Sequence, residues 1–69
     1  MKKNLNFYTQ WQYNLVEGQR NGQACFNAAH LIFGEPAVAA VRGTLYDPFH
    51  DDNAIPLFLA WLSNVEKVL

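Results

Sequence analysis

Arg42-Gly43-Thr44-Leu45-Tyr46-Asp47-Pro48-Phe49-His50-Asp51-Asp52 divides this chain. It sets a cation, a glycine, a turn-forming Asp-Pro and two adjacent carboxylates between two strongly apolar segments. Most helix-to-helix connections need only a few residues. A segment of this length and chemistry is therefore predicted to hold a definite shape, as a structured loop over 43–51 flanked by helices.

C-terminal to the loop, Asp51 to Asn53 offer side chains that can accept from exposed amides, and Pro56 fits the first turn of a helix. Ile55, Leu57, Phe58, Leu59, Trp61, Leu62, Val65, Val68 and Leu69 spread over about 200° of a helical wheel, roughly twice an ordinary core stripe. The spacing predicts a helix over about 52–68. An arc so broad needs two partners. Either this helix is central to the domain, or Leu57 or Trp61 anchors a second chain.

N-terminal to the loop, Glu35-Pro36 opens a short helix over about 36–42 that Gly43 ends. Gly34 separates it from a helix over about 22–33 whose Ala24, Cys25, Ala28 and Ala29 allow close approach of neighbours; Asn21 is its expected N-cap. In outline the pair resembles a helix-turn-helix, a connection common to small helical proteins. A first helix over about 5–17 carries Leu5, Tyr8, Trp11 and Leu15 at helical spacing beside Phe7 and Val16, with Asn4 or Asn6 as cap and Gly18 as stop. Tyr13 lies off that stripe. The expected fold is all-α, one domain over 1–69 built from three to four helices.

Composition supports a packed domain. At 69 residues the chain buries only about 60% of its unfolded surface, and 51% hydrophobic with 14% aromatic residues answers that limit. A net charge of −1, with cations scattered at Lys2, Lys3, Arg20, Arg42 and Lys67, argues against a nucleic-acid surface. Cys25 stands alone, so no internal disulfide is expected and a reducing compartment fits. Phe7 to Gln12 interrupts the apolar core that a secretory leader would need after Lys2-Lys3, and no window approaches a membrane span.

Chemistry-bearing constellations are sparse. One Cys with His30 and His50 lacks the paired ligands of structural zinc, and the acidic residues lack the calcium-loop spacing. Cys25 and His30 sit five apart on a helix and diverge, so neither catalysis, a metal nor a cofactor is expected. Arg42 at a helix end can reach Asp47, Asp51 or Asp52, which makes Arg42, Gly43, Thr44, Asp47, Pro48 and Phe49 candidates for shaping the loop. Tyr46, His50, Asp51, Asp52 and Tyr13 are left as candidates for contacting a partner. Arg20 and Gln23 at the start of the second helix suit an anionic group only weakly.

Trp11, then Glu17-Gly18-Gln19-Arg20-Asn21-Gly22-Gln23-Ala24-Cys25-Phe26-Asn27, then Arg42-Gly43-Thr44 with Asp47-Pro48-Phe49-His50-Asp51-Asp52, and finally Phe58-Leu59-Ala60-Trp61-Leu62, resemble a group of small tailed-phage proteins of unknown function. The resemblance spans nearly the whole chain and implies origin more than mechanism. In that setting the expectation is an accessory protein in the host cytoplasm that binds a host protein stoichiometrically, for host takeover or anti-defence. The alternatives are a small DNA-binding regulator that dimerises through its last helix, and a structural or assembly component of the particle.

Overall fold

The computed structural model describes residues 2–66. Four helices appear among them, α1 Lys2–Val16, α2 Asn21–Phe33, α3 Glu35–Ala39 and α4 Ile55–Glu66, with a short 3₁₀ turn Asp52–Ala54 leading into α4. No strand occurs among the described residues, and the all-α expectation holds.

Each boundary has a local cause. α1 begins earlier than expected, which puts the backbone of Asn4 and Asn6 within the helix rather than at its cap position. It ends as Gly18 takes φ 100°, a region where a Cβ would be strained. Gly18 then donates to the Leu15 carbonyl at 3.0 Å and Gln19 to the Asn14 carbonyl at 3.1 Å, the paired closure of a Schellman stop. Asn21 is the first residue of α2 rather than its cap. The cap position belongs to Arg20, whose guanidinium can only donate and so cannot accept from the helix amides; Gln23 Oε1 instead reaches back to accept from the Arg20 N–H at 3.4 Å.

α3 is shorter than expected. Beyond Ala39 the chain continues in tight turns, Val41 donating to the Val38 carbonyl at 3.1 Å and Thr44 to the Val41 carbonyl at 3.0 Å. Bonds of this i to i+3 kind stack residues three apart on one side, which buries Val38 and Val41 together.

The central helix is α2, which meets α1, α3, α4 and the 3₁₀ turn. Ala24, Cys25, Ala28 and Ala29 are fully buried along it, and their small size lets neighbours close on its backbone. Around this spine sit Phe7, Phe26, Val38, Val41, Phe58 and Leu62, each stabilising the fold by about 1.5–3 kcal/mol through burial.

α1 buries a different line from the expected Leu5–Tyr8–Trp11–Leu15 stripe. Phe7, Trp11 and Asn14 turn inward, while Leu5, Tyr8 and Val16 are exposed. The reason is tertiary: Phe7 packs on Phe33 with ring centroids 5.6 Å apart, and Trp11 Nε1 donates to Asn21 Oδ1 at 3.0 Å. Asn14 is tolerated inside because its Nδ2 donates to the Ala24 carbonyl at 3.1 Å and its Oδ1 accepts from Gln10 at 2.9 Å.

On α4, Phe58 and Leu62 are buried and Leu57 is exposed. Trp61 is not the exposed anchor anticipated; it is half-buried and stacks on Phe58 at 6.5 Å. Val68 and Leu69, and with them the expected end at 68, lie outside the described residues, as does the side chain of Val65.

Burial pushes the Cys25 thiol up from 9.0 to about 12, because desolvation penalises the thiolate. The folded state keeps a proton that the unfolded chain releases above about pH 9, so stability falls with rising pH from there, by about 1.4 kcal/mol per unit. Unfolding midpoints in urea measured from about pH 9 to 11 should therefore fall more steeply for the wild type than for Cys25→Ala. Parallel slopes would show that the thiol is not shielded.

Candidate functional site

The loop between α3 and α4 is shaped by Asp47. Its Oδ2 accepts from the Gly43 N–H at 2.8 Å and its Oδ1 from the Phe49 N–H at 2.9 Å, so one carboxylate bridges both ends of the turn. Thr44 Oγ1 donates to the Val41 carbonyl at 2.7 Å and accepts from the Tyr46 N–H at 3.2 Å. Pro48 is fully buried. Phe49 meets Phe26 edge-on at 5.7 Å, inserting the loop into the aromatic part of the core.

A second fastening joins this loop to the start of α2. Asp52 Oδ1 accepts from the Gly22 N–H at 2.8 Å and from Arg20 Nε at 3.1 Å, and Arg20 Nη2 also donates to the Phe49 carbonyl. Helix N-termini attract anions, and here the anion comes from the chain itself, thirty residues further on. Asp52 was expected to be free for a partner; its carboxylate is instead engaged within the fold. Asp51 is also used locally, Oδ1 accepting from the Asn53 N–H at 3.0 Å, the capping geometry expected at the start of the last helix.

Arg42 departs from expectation as well. It reaches none of Asp47, Asp51 or Asp52; Nη2 binds Glu35 Oε1 at 2.8 Å, and the guanidinium lies 5.4 Å from the Phe26 ring centroid. Asp47 is turned onto the Gly43 and Phe49 amides and Asp52 onto Gly22 and Arg20, and Glu35 at the start of α3 is the carboxylate that meets Arg42. The same Glu35 oxygen is 3.0 Å from His30 Nε2, so His30 and Arg42 converge on one acceptor.

The outcome is a shallow cleft of about 460 Å³ between α2 and the loop, with Phe26, Asn27, His30, Arg42, Asp47, Phe49 and His50 on its walls. His50 packs edge-on against Phe49 at 4.8 Å. A second depression of about 400 Å³ continues past Asn27 and His30 toward Gly34 and Glu35. Cys25 is fully buried in the core, and among the described residues no three His, Cys, Asp or Glu side chains gather as a metal-binding group. No described helix is long and apolar enough to cross a membrane.

At the loop apex, Leu45 is 82% exposed and Tyr46 43% exposed. Tyr13 is exposed too, on α1 rather than in the loop. The sequence reading gave Leu45 and Asn27 no site role and weighed His30 only as a metal ligand or as a base beside Cys25; Asn27 and His30 reach the cleft because Arg42 and the loop fold back over α2.

Asp52→Ala should lower stability by about 1–3 kcal/mol by leaving the Gly22 N–H without its acceptor, while Asp52→Asn, which keeps Oδ1, should recover part of that. Equal urea midpoints for Asp52→Ala and wild type would mean that water replaces the carboxylate at no cost.

The chain matches no protein-family model, no curated protein and no solved structure.

Proposed function

We propose that this chain is a small non-catalytic binding protein that acts stoichiometrically on a protein partner through the 44–50 loop. The observation that carries the reading is an apolar and aromatic pair, Leu45 and Tyr46, exposed on a loop held at both ends by the Asp47 carboxylate. A loop already ordered before contact avoids much of the entropic cost of binding, and tyrosine is enriched among residues that dominate interface energy. His50 and the cleft beside it supply the polar rim. In the phage setting that the resemblance implies, the partner is a host protein in the bacterial cytoplasm, and the role is host takeover or anti-defence.

The DNA-binding reading is the weaker one. α3 is five residues long, its exposed positions are Glu35, Pro36 and Ala39, and Arg42 beside it is already held by Glu35. That set offers base edges a single guanidinium, already paired with Glu35, and no other cation.

Affinity capture from a bacterial lysate, with wild-type and Leu45→Asp/Tyr46→Ala baits side by side, tests the proposal. The expected result is one protein retained by the wild type and weakened at least about tenfold by the variant, with melting temperatures alike because both side chains are exposed. Retention of the same protein by both baits, or of nothing by either, would refute it.

A further inference from the structure

Six exposed side chains of α1, Leu5, Tyr8, Thr9, Gln12, Tyr13 and Val16, fall on one helix face, since their spacing is i, i+3, i+4, i+7, i+8 and i+11. Leu5 is 66% and Val16 82% exposed. From Asn4 to Val16 the helix contains no charged residue, whereas Lys2 and Lys3 open it and Glu17 follows it. A face turned only to water ordinarily carries charge. This one is uncharged along its length, and in the sequence lysines precede it and a glutamate follows it.

We propose that this face is the contact between two copies of the chain, their α1 helices packed antiparallel across a two-fold axis. The sequence of the face is complementary to its own reverse. Turned end for end, Leu5 meets Val16 of the second copy, Tyr8 meets Tyr13, and Thr9 meets Gln12, each pair occurring twice by symmetry. Leu5, Thr9, Gln12 and Val16 follow the alternating four-three spacing of a coiled-coil seam, and the tyrosines flank it.

The same register sets the Lys2-Lys3 end of each helix beside Glu17 of the other and opposes the two helix dipoles. A parallel pair would bring the lysine ends together. The contact expected on α4 at Leu57 and Trp61 is thus assigned to α1 instead, where Tyr13 acts toward a second copy. The loop remains free for the partner proposed above.

Sedimentation equilibrium on the full chain from about 1 µM to 1 mM, the range of weak association, tests this. Wild type should show a monomer–dimer equilibrium. Leu5→Lys and Val16→Glu should each raise the dissociation constant more than about tenfold, because every dimer carries the misplaced charge twice. The double variant Leu5→Lys/Val16→Glu should return to dimer, since in the antiparallel register each lysine faces a glutamate. Circular dichroism confirms that all three variants keep their helices.

A wild type that stays monomeric throughout, including one that binds anionic vesicles as a monomer, overturns the proposal. So do single variants that dimerise like the wild type, and a double variant no better than the singles.

Discussion

Gly22→Ala is expected to destabilise the domain by about 3 kcal/mol or more, lowering its Tm by about 15 °C or more. A Cβ at this position would lie 2.0 Å from the Pro48 carbonyl oxygen and 2.7 Å from Asp52 Oδ1. The first of these is backbone, in a loop held by Asp47 and by the buried Pro48 ring, so it cannot yield as a flexible side chain would. Total stability for a chain of this size is about 3–10 kcal/mol, and the loss is a large share of it.

The sign of this effect is what makes it informative. Gly22 is the second residue of α2, and alanine is intrinsically better than glycine in a helix, by at most about 1 kcal/mol. Helix propensity alone therefore predicts stabilisation, and the packing against Pro48 predicts the opposite. Thermal unfolding followed by circular dichroism decides between them. Adding Asp52→Ala to Gly22→Ala should not rescue it, because the Pro48 contact persists. A Tm equal to or above that of the wild type would show that the 18–22 turn and the 48–52 segment do not pack as described.

The second large effect is expected at Phe58. Its side chain is fully buried and stacks on Phe26 at 5.9 Å and on Trp61 at 6.5 Å. Phe58→Ala should cost about 3–5 kcal/mol, the sum of lost transfer energy and the cavity left behind. Phe26 in turn carries Phe49 on its edge and Arg42 over its face. The aromatic series Phe58, Phe26, Phe49 is thus the route by which the core holds the loop, and loosening it should be felt at the loop first.

Amide exchange at Gly43 and Phe49, whose N–H groups depend on Asp47, should accelerate in Phe58→Ala beyond what the drop in global stability accounts for. Phe58→Leu, which refills most of the volume, should cost far less. A loss under about 1 kcal/mol for Phe58→Ala would mean that the core relaxes around the hole, contrary to the close packing of these rings.

Much of the architecture was legible because its signals are local. The glycines at 18 and 34 and the prolines at 36 and 56 mark where helices stop and start, and the alanines of α2 announced a helix approached closely by others, whereas α3 ends at Ala39, short of the Gly43 expected to stop it. The misreadings are of a different kind. On α1 the apolar residues exceed what one neighbour can cover, so periodicity proposed the Leu5 stripe where contact with α2 selected Phe7, Trp11 and Asn14. On α4 the same excess made Trp61 look exposed, though Phe58 gives it a partner.

Charges were harder still. An arginine and three nearby aspartates suggested one cluster, yet the structure splits them: Arg42 goes to Glu35, Asp47 closes its own turn, and Asp52 crosses to Arg20 and Gly22. Sequence proximity ranks carboxylates by distance along the chain, whereas a folded chain assigns them by which donors lack another acceptor.

The sequence by itself determined the helical class, the glycine stops and the presence of a shaped loop, because these follow from backbone preferences and apolar spacing within a few residues. Only the tertiary structure decided which face of α1 is buried, which acid meets which cation, and that Gly22 must lack a side chain. Those outcomes depend on contacts between separate segments, 7 residues apart for Arg42 and Glu35, 10 for Trp11 and Asn21, and 30 for Gly22 and Asp52, and no preference of a single segment encodes them.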